Sequence, residues 1–413
     1  MKTPGISFVI PVYNMERYLP RVIQCLKAQT MPGFEAIFVN DGSRDNSLAI
    51  CKSAASEDPR FRIIDQPNKG VAKARNAALD AARGEYVCFL DPDDWVEPDM
   101  AQVLYEAAKK ENADIVMFGI YNDYYDKNGN CVKTLIDGPA LCGVYRGKPF
   151  QEHFDVLASY YLVATKMLRR ACIEAEHLRF PERTLGEDGL FYVAFMRQNP
   201  SCLVAIQKPL YHYTFARSAS LSNSWHPERL QDNFYLSDAV WSVVEDWGLQ
   251  DSEMHRKKAC YCTVRDLQLG IKNVCSGPLS AKERTDWLQK TVKLPRVENA
   301  IKNTAVKSFH SRNDRIKLLF LFYCKLRSNP DKHHLRLFNR LSNLFQHIVS
   351  TFLNFLSPAN AACRPESRNI ISNFSVVNNY ISYGIRRVAK ATSFHSDAVR
   401  SLRSVFAFAV RSH

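Results

Sequence analysis

The chain has 413 residues and 46% hydrophobic content, which excludes a mainly disordered protein and gives room for about two to three domains of ordinary size. Its 55 Lys and Arg against 42 Asp and Glu leave a net charge of +13. That excess lies wholly between Lys307 and His413, where 17 basic residues meet 4 acidic ones; the preceding part is balanced at 38 of each.

The first 120 residues alternate between two patterns. Ile6 to Val12, Phe34 to Asn40, Phe61 to Asp65, Tyr86 to Leu90 and Ala113 to Phe118 are short apolar runs suited to buried strands. Met15 to Gln29, Asp45 to Ala55, Gly70 to Ala82 and Pro98 to Glu111 have helical spacing. Strands alternating with helices predict βαβ units in a mostly parallel sheet, covered by helices on both faces. Tyr121 to Pro149 turns polar and predicts a hairpin or loop excursion. Leu185 to Gln198 reads as a helix opened by Gly186, Glu187 and Asp188. Cys202 to Ile206 and Leu210 to Tyr213 read as two short strands around Lys208-Pro209. From Pro227 onward the pattern is nearly all helical. The expected division is a catalytic α/β domain over 1–222, a helical region over 223–330 and a basic tail over 331–413.

Ligands of open α/β sheets bind beyond the carboxyl ends of the strands, and the polar clusters fall there. Asp91, Asp93 and Asp94 end the fourth strand. Acids this close repel one another unless a cation or donors compensate, and one or two carboxylates plus substrate phosphates suit Mg²⁺ or Mn²⁺. The same four residues, Asp91-Pro92-Asp93-Asp94, are also good turn chemistry. Asp41 ends the second strand, where an acid can accept from a base or ribose; Asp41, Ser43 and Asp45 can equally cap the next helix. Lys69, Lys73 and Arg75 at the start of the third helix could attract phosphate or form a solvated basic face. Glu187 and Asp188 could supply a general base or answer a helix dipole. His212, between Tyr211 and Tyr213, suits a metal or phosphate less well than a satisfied structural role.

Taken in order, Phe8 to Asn14, Val39 to Ser43, Asn68-Lys69-Gly70, Ala74-Arg75-Asn76, Phe89 to Asp94 and Glu187-Asp188 resemble the motif series of family 2 inverting glycosyltransferases with the GT-A fold. The resemblance covers about residues 5 to 222. Thr165-Lys166-Met167, Phe180-Pro181, Tyr211-His212-Tyr213 and Ser220-Leu221-Ser222 are similar to the bacterial polysaccharide, capsule and lipopolysaccharide branch. The resemblance implies transfer of a sugar from a nucleotide-sugar, usually a UDP-sugar, to a glycan or lipid-linked acceptor. Pro11, Val12 and Tyr13 would line the nucleotide base, Asp41 would bind it, and Arg75 would face it. Asp91 would reach the ribose or assist a divalent metal, Mg²⁺ or Mn²⁺, ligated by Asp93. Asp188 would be the base and Glu187 its neighbour. The chain departs from the pattern at Pro92, inside the family's DxD motif, and at Thr214, where many relatives carry arginine and this chain has Arg217 three residues on.

The basic tail is expected to meet an anionic partner. Leu337, Phe338, Leu341, Leu344, Phe345, Ile348, Val349, Phe352, Leu353 and Leu356 form one apolar helical face. That face could pack on the protein or, helped by Arg336 and Arg340 within 331–360, lie on an anionic membrane surface. No RNA- or DNA-binding signature accompanies the arginines, so nucleic acid is not the expected partner. A sugar nucleotidyltransferase would want a Gly-rich loop where Pro11-Val12-Tyr13-Asn14 stands, and a glycoside hydrolase would need only two carboxylates and no nucleotide donor. The 12 Cys are scattered without a CxxC, which excludes zinc ribbons and thioredoxin-type sites and predicts buried thiols in a reducing compartment. No run approaches the roughly 18 to 20 apolar residues of a membrane span, and no signal peptide pattern opens the chain. The expected location is cytoplasmic, with the inner face of the plasma membrane as a docking place.

Overall fold

A computed structural model of the protein describes residues 3–126, 128–139, 141–147, 151, 162–183, 186–216 and 225–303. Arg217, the Ser220-Leu221-Ser222 motif, the apolar face from Leu337 to Leu356 and the basic tail lie outside the described residues. The chain divides into two compact units, Met1–Pro278 and one beginning at Leu279.

In the first unit, β1 (Ile6–Val12), α1 (Leu19–Lys27), β2 (Phe34–Asp41), α2 (Ser47–Glu57), β3 (Phe61–Gln66), α3 (Val71–Ala81) and β4 (Tyr86–Phe89) alternate as the apolar pattern predicts. Then come β5 (Trp95–Val96), α4 (Met100–Glu111), β6 (Ile115–Tyr125), β7 (Cys131–Asp137) and β8 (Gly143–Arg146). A 3-10 turn at Val163–Thr165 leads into β9 (Lys166–Arg169) and α5 (Arg170–Ala175). The unit continues with α6 (Glu187–Arg197), β10 (Cys202–Ala216), α7 (Arg229–Asp246) and α8 (Glu253–Ser276). The second unit contains α9 (Ala281–Thr291) and α10 (Pro295–Asn303). Ser280 and Glu283 close a reciprocal capping box at the start of α9.

The strands form one sheet in the order β3-β2-β1-β4-β9-β6-β10-β5, with β7 added beside β6 and β8 beside β10. β3, β2, β1 and β4 run parallel, as do β6 and β10, while β9 lies antiparallel between β4 and β6. This is the α/β fold with a mostly parallel, mixed sheet that the sequence predicts. The register pairs Val12 with Asn40 and Asn40 with Asp65, so the carboxyl ends of β1, β2 and β3 are level. The loops that follow them therefore open on one rim.

Both faces of the sheet are covered, which explains the unbroken apolar runs. Phe8, Ile10 and Val12 pack with Leu19, Val22 and Leu26 of α1 and Leu104 of α4. The alternate residues Val9, Ile37, Val39 and Phe89 pack with Ala74, Ala78 and Leu79 of α3 and with Phe191 and Phe195 of α6. The short Ala side chains let α3 lie close to the sheet, which brings its N-terminal turn to the rim.

Two expectations are corrected and one is met. The two short strands around Lys208-Pro209 are one strand, β10. It shifts register against β6 on either side of Pro209, and this irregularity absorbs the missing N–H of proline without ending the strand. The polar stretch from Tyr121 gives the expected hairpin: β6 runs on to Tyr125 and pairs with β7. The thiols are not uniformly buried: Cys51, Cys88, Cys202 and Cys262 are, but Cys131 and Cys142 are exposed. Among the described residues no helix is long and apolar enough to cross a membrane.

Candidate active site

The rim is first of all a hydrogen-bonded scaffold. After β1 and β2, Ser43 Oγ accepts from Asn14 N at 3.0 Å and Asn14 Oδ1 accepts from Arg44 N at 2.8 Å. Asp45 accepts from Glu16 N and Ser47 N, each at 3.0 Å. Asp41 is 3% exposed, yet Gln66 Nε2, Lys69 N and Gly70 N donate to its carboxylate at 2.7, 2.9 and 2.8 Å. It therefore holds the turn that starts α3. None of Asp41, Ser43 and Asp45 is the N-cap of α2, which is Asn46 without a side-chain cap bond; of the three, Asp45 alone accepts from the first turn, at Ser47 N. Gly42 is required beside Asp41: its φ is +69°, and a Cβ there would stand 2.6 Å from Asn68 N. Pro11 and Val12 are buried at the end of β1, and Tyr13 beyond them is 41% exposed.

The acids gather where β4 ends and α6 begins. Gly186 takes a left-handed φ of +79° at the start of α6, and Glu187 and Asp188 follow in its first turn, where a helix N-terminus favours negative charge. Arg75, 6% exposed, reaches from α3 and donates to Glu187 Oε1 and Asp91 Oδ1, both at 2.9 Å. Asn76 exchanges two hydrogen bonds with the backbone of Phe180, at 2.7 and 2.9 Å. Phe180 in turn stacks on Phe191 of α6 at 4.1 Å and lies under the Arg75 guanidinium. Ala74-Arg75-Asn76 thus fixes the approach to α6 by packing and by charge.

Titration follows this crowding. Burial and the neighbouring Asp188 push the Glu187 carboxyl up, although Arg75 opposes them. Burial also pushes Asp188 up against Arg75 and the Gly189 N–H. Burial opposes the charge of Arg75, but Asp91, Glu187 and Asp188 outweigh it and hold its guanidinium protonated. Both partners of the Glu187–Arg75 pair are raised, Glu187 because burial and Asp188 outweigh Arg75, and Arg75 because three acids outweigh its burial. Asp93 is pushed up to about 6 by burial and by Asp91. Asp94 is pushed well above its usual range by burial and by Asp93 and Asp91, while Tyr211 Oη and Thr214 N donate to it at 2.6 and 2.7 Å.

The chemistry of this donor set fits one divalent cation shared with a substrate. Among the described residues no three His, Cys, Asp or Glu converge as ligands. Among the described residues no other residue's side chain donates to the Asp93 carboxylate, and Arg75 takes one oxygen of Asp91. Two neighbouring carboxylates, one of them with no donor from another described side chain, match a cation that completes its shell with phosphate and water.

His212 does not join this group. Its Nδ1 lies 2.8 Å from Asp123 and its Nε2 2.9 Å from Glu97, with the ring stacked between Trp95 and Tyr121. It is a structural histidine, as the sequence favours. The sequence does not reveal Arg21. From α1 it donates to Asp93 O at 3.1 Å, Thr214 Oγ1 at 3.2 Å and Tyr125 Oη at 3.0 Å. Its partners are far away in the chain, and no motif marks it.

Residues 7–155 match the family model described as Glycosyl transferase family 2. The chain carries a glycosyl transferase family 2 domain. The Bacillus subtilis (strain 168) protein EpsH is 34% identical to it over 221 residues, which are 52% of this chain and 61% of EpsH; the match thus spans less than two thirds of that relative. EpsJ of the same organism, an uncharacterized glycosyltransferase, is 28% identical over 328 residues, 78% of this chain and 93% of EpsJ. S. aureus TarS 1-349, solved in complex with UDP-GlcNAc, superposes with a TM-score of 0.57 at 18% identity over 83% of this chain and 91% of that one. That likeness shows the GT-A-like fold for the family 2 domain.

Proposed function

We propose that this chain is an inverting glycosyltransferase that moves a sugar from a UDP-sugar to a hydroxyl of a glycan or lipid-linked acceptor in surface polysaccharide synthesis. The observation that carries the reading is the convergence of Asp41, Arg75, Asp91, Asp93, Glu187 and Asp188 on one rim of a family 2 domain. Tyr13 and the Asp41 turn offer an aromatic face and polar edges to a nucleotide base. Asp93, with Asp91, would hold a divalent cation. Such a cation offsets charge on a departing nucleoside diphosphate.

Asp188 acts on the acceptor. Its burial raises the carboxyl above the usual aspartate range, which makes it a stronger base than an ordinary aspartate, while Arg75 favours its charged form. It takes the proton of the acceptor hydroxyl as the oxygen attacks the anomeric carbon opposite the leaving group. A single displacement inverts the anomeric centre and needs no protein nucleophile. Glu187, tied to Arg75, fixes the first turn of α6 and hence the position of Asp188. The apolar pattern between 331 and 360 is proposed to hold the protein against an anionic membrane carrying the acceptor, on its cytoplasmic side.

The test is thermal stabilisation by UDP with Mn²⁺, followed by UDP release from a panel of UDP-sugars. Asp188→Asn is expected to lower turnover by about a hundred- to ten-thousandfold while UDP still binds. Wild-type turnover in that variant would remove Asp188 as the base. Absence of any stabilisation by UDP would remove the donor assignment.

A further inference from the structure

The turn between β4 and β5 carries Asp91 and Asp93, and β10 holds its two ends. Asp94 N donates to Asp91 O at 3.0 Å, which closes the turn. Tyr211 Oη donates to the Asp94 carboxylate at 2.6 Å and accepts from Asp91 N at 3.3 Å, and Thr214 N donates to the same carboxylate at 2.7 Å. The middle of the turn is harder to fix. Pro92 has no N–H to give. The Asp93 carbonyl is the handle that the backbone offers there.

Arg21 takes that handle. It stands half-buried on α1. Its Nη2 donates to Asp93 O at 3.1 Å and to Thr214 Oγ1 at 3.2 Å, and its Nη1 donates to Tyr125 Oη at 3.0 Å. The guanidinium also lies 5.7 Å from the centre of the Trp95 ring and 5.8 Å from that of Tyr125. One side chain thus joins α1, the β4–β5 turn, the end of β6 and the end of β10. Each of its three acceptors is neutral, so what the arginine supplies is a planar fork with donors in fixed directions, which a lysine does not have.

We propose that Arg21 is a positioning residue for the Asp93 carboxylate: by gripping the Asp93 carbonyl together with Thr214 and Tyr125, it fixes the peptide that carries this carboxylate and so sets the affinity for a divalent cation. This rests on the reading of Asp93 as a metal ligand. Mg²⁺ demands near-ideal octahedral geometry, and Mn²⁺ takes the same kind of oxygen ligands. A carboxylate on a loose turn has to be ordered as the cation binds, and that ordering is subtracted from the affinity. Groups that orient metal ligands without touching the metal are worth about tenfold to a hundredfold in metal affinity.

The test is a Mn²⁺ titration of the full-length protein in saturating UDP, with free Mn²⁺ read by its electron paramagnetic resonance signal. Uridine binding, which involves no diphosphate and no metal, is measured beside it. Arg21→Met is expected to weaken Mn²⁺ binding by about tenfold to a hundredfold and to leave uridine binding as in wild type. Arg21→Lys, which keeps a donor but not the fork, should fall between the two. If Arg21→Met does not fold, Thr214→Val and Tyr125→Phe each remove one anchor of the guanidinium, and each should weaken Mn²⁺ binding by about two- to tenfold. Wild-type Mn²⁺ affinity in these variants overturns the proposal, and so does a parallel loss of uridine binding, which would make Arg21 a general support of the rim. Asp93→Asn separates the two readings. If it loses Mn²⁺ while Arg21→Met does not, the positioning role alone fails; if it binds Mn²⁺ as wild type does, the assignment of Asp93 beneath it fails.

Discussion

Asp41 and Asp93 both follow sheet strands on the same rim, and the protein treats them in opposite ways. Asp41 is almost completely buried but receives three donors, two of them backbone N–H groups. Asp93 is only partly buried, its carboxylate receives no donor from another described side chain, and it is pushed up to about 6 by burial and by Asp91. A carboxylate whose lone pairs are filled by protein is a strut. A carboxylate left beside another negative charge is a demand for a cation. Asp94, next to Asp93, belongs with the struts, because it ties the β4–β5 turn to Tyr211 and Thr214. Three neighbouring acids thus divide into framework and site according to their donors.

The largest expected break in this division is at Arg75, the shared donor on the acidic side. Arg75→Met leaves Glu187 and Asp91 facing each other across an apolar gap. Removing one partner of a buried charged pair costs about 3 to 5 kcal/mol, and urea unfolding at neutral pH should show a loss of that size. The loss should shrink as the pH falls and Glu187, already pushed up by burial, protonates, since an uncharged acid needs no cation. A loss unchanged with pH would mean that Arg75 matters for its packing on Phe180 alone.

Asp41→Ala tests the strut. It leaves Lys69 N and Gly70 N without their acceptor, and charge-assisted hydrogen bonds of this kind make the expected loss about 2 kcal/mol. UDP binding should weaken with it, because the turn that starts α3 loosens. Asp41→Asn keeps one acceptor oxygen and should fall between wild type and Asp41→Ala in both measurements.

The struts and the site differ also in how far they could be read from sequence. The apolar runs specify β1 to β4 and their helices, because strands covered on both faces carry an unambiguous pattern. Asp91, Asp93, Glu187 and Asp188 announce themselves as clustered acids at predicted strand and helix ends. Their sorting does not, since Asp93 and Asp94 are adjacent and identical in type. It depends on Tyr211 and Thr214, well over a hundred residues away. Arg21 is hidden for the same reason, and nothing in a short apolar strand says that the Lys166 side chain is completely buried. Pro209 misled because proline usually ends a strand, and the register shift that tolerates it has no local signal.

The smallest effect separates site from strut most cleanly. The Asp93 carboxyl, with an ordinary value of 3.8, is pushed up to about 6 in the folded protein. Between those values the folded state holds more protons than the unfolded state, so stability falls as pH rises through the window and stays lower above it. Asp93→Asn removes the charge. It should stabilise the protein at neutral pH by about 1 kcal/mol, after allowance for solvent at a partly exposed side chain, and the gain should vanish below about pH 4. Mn²⁺ with UDP should then raise the melting temperature of the wild type and leave that of the variant nearly unchanged. Asp41→Asn should show the reverse, with no gain at neutral pH. If Asp93→Asn instead destabilises at neutral pH, Asp93 has protein donors and belongs with the struts.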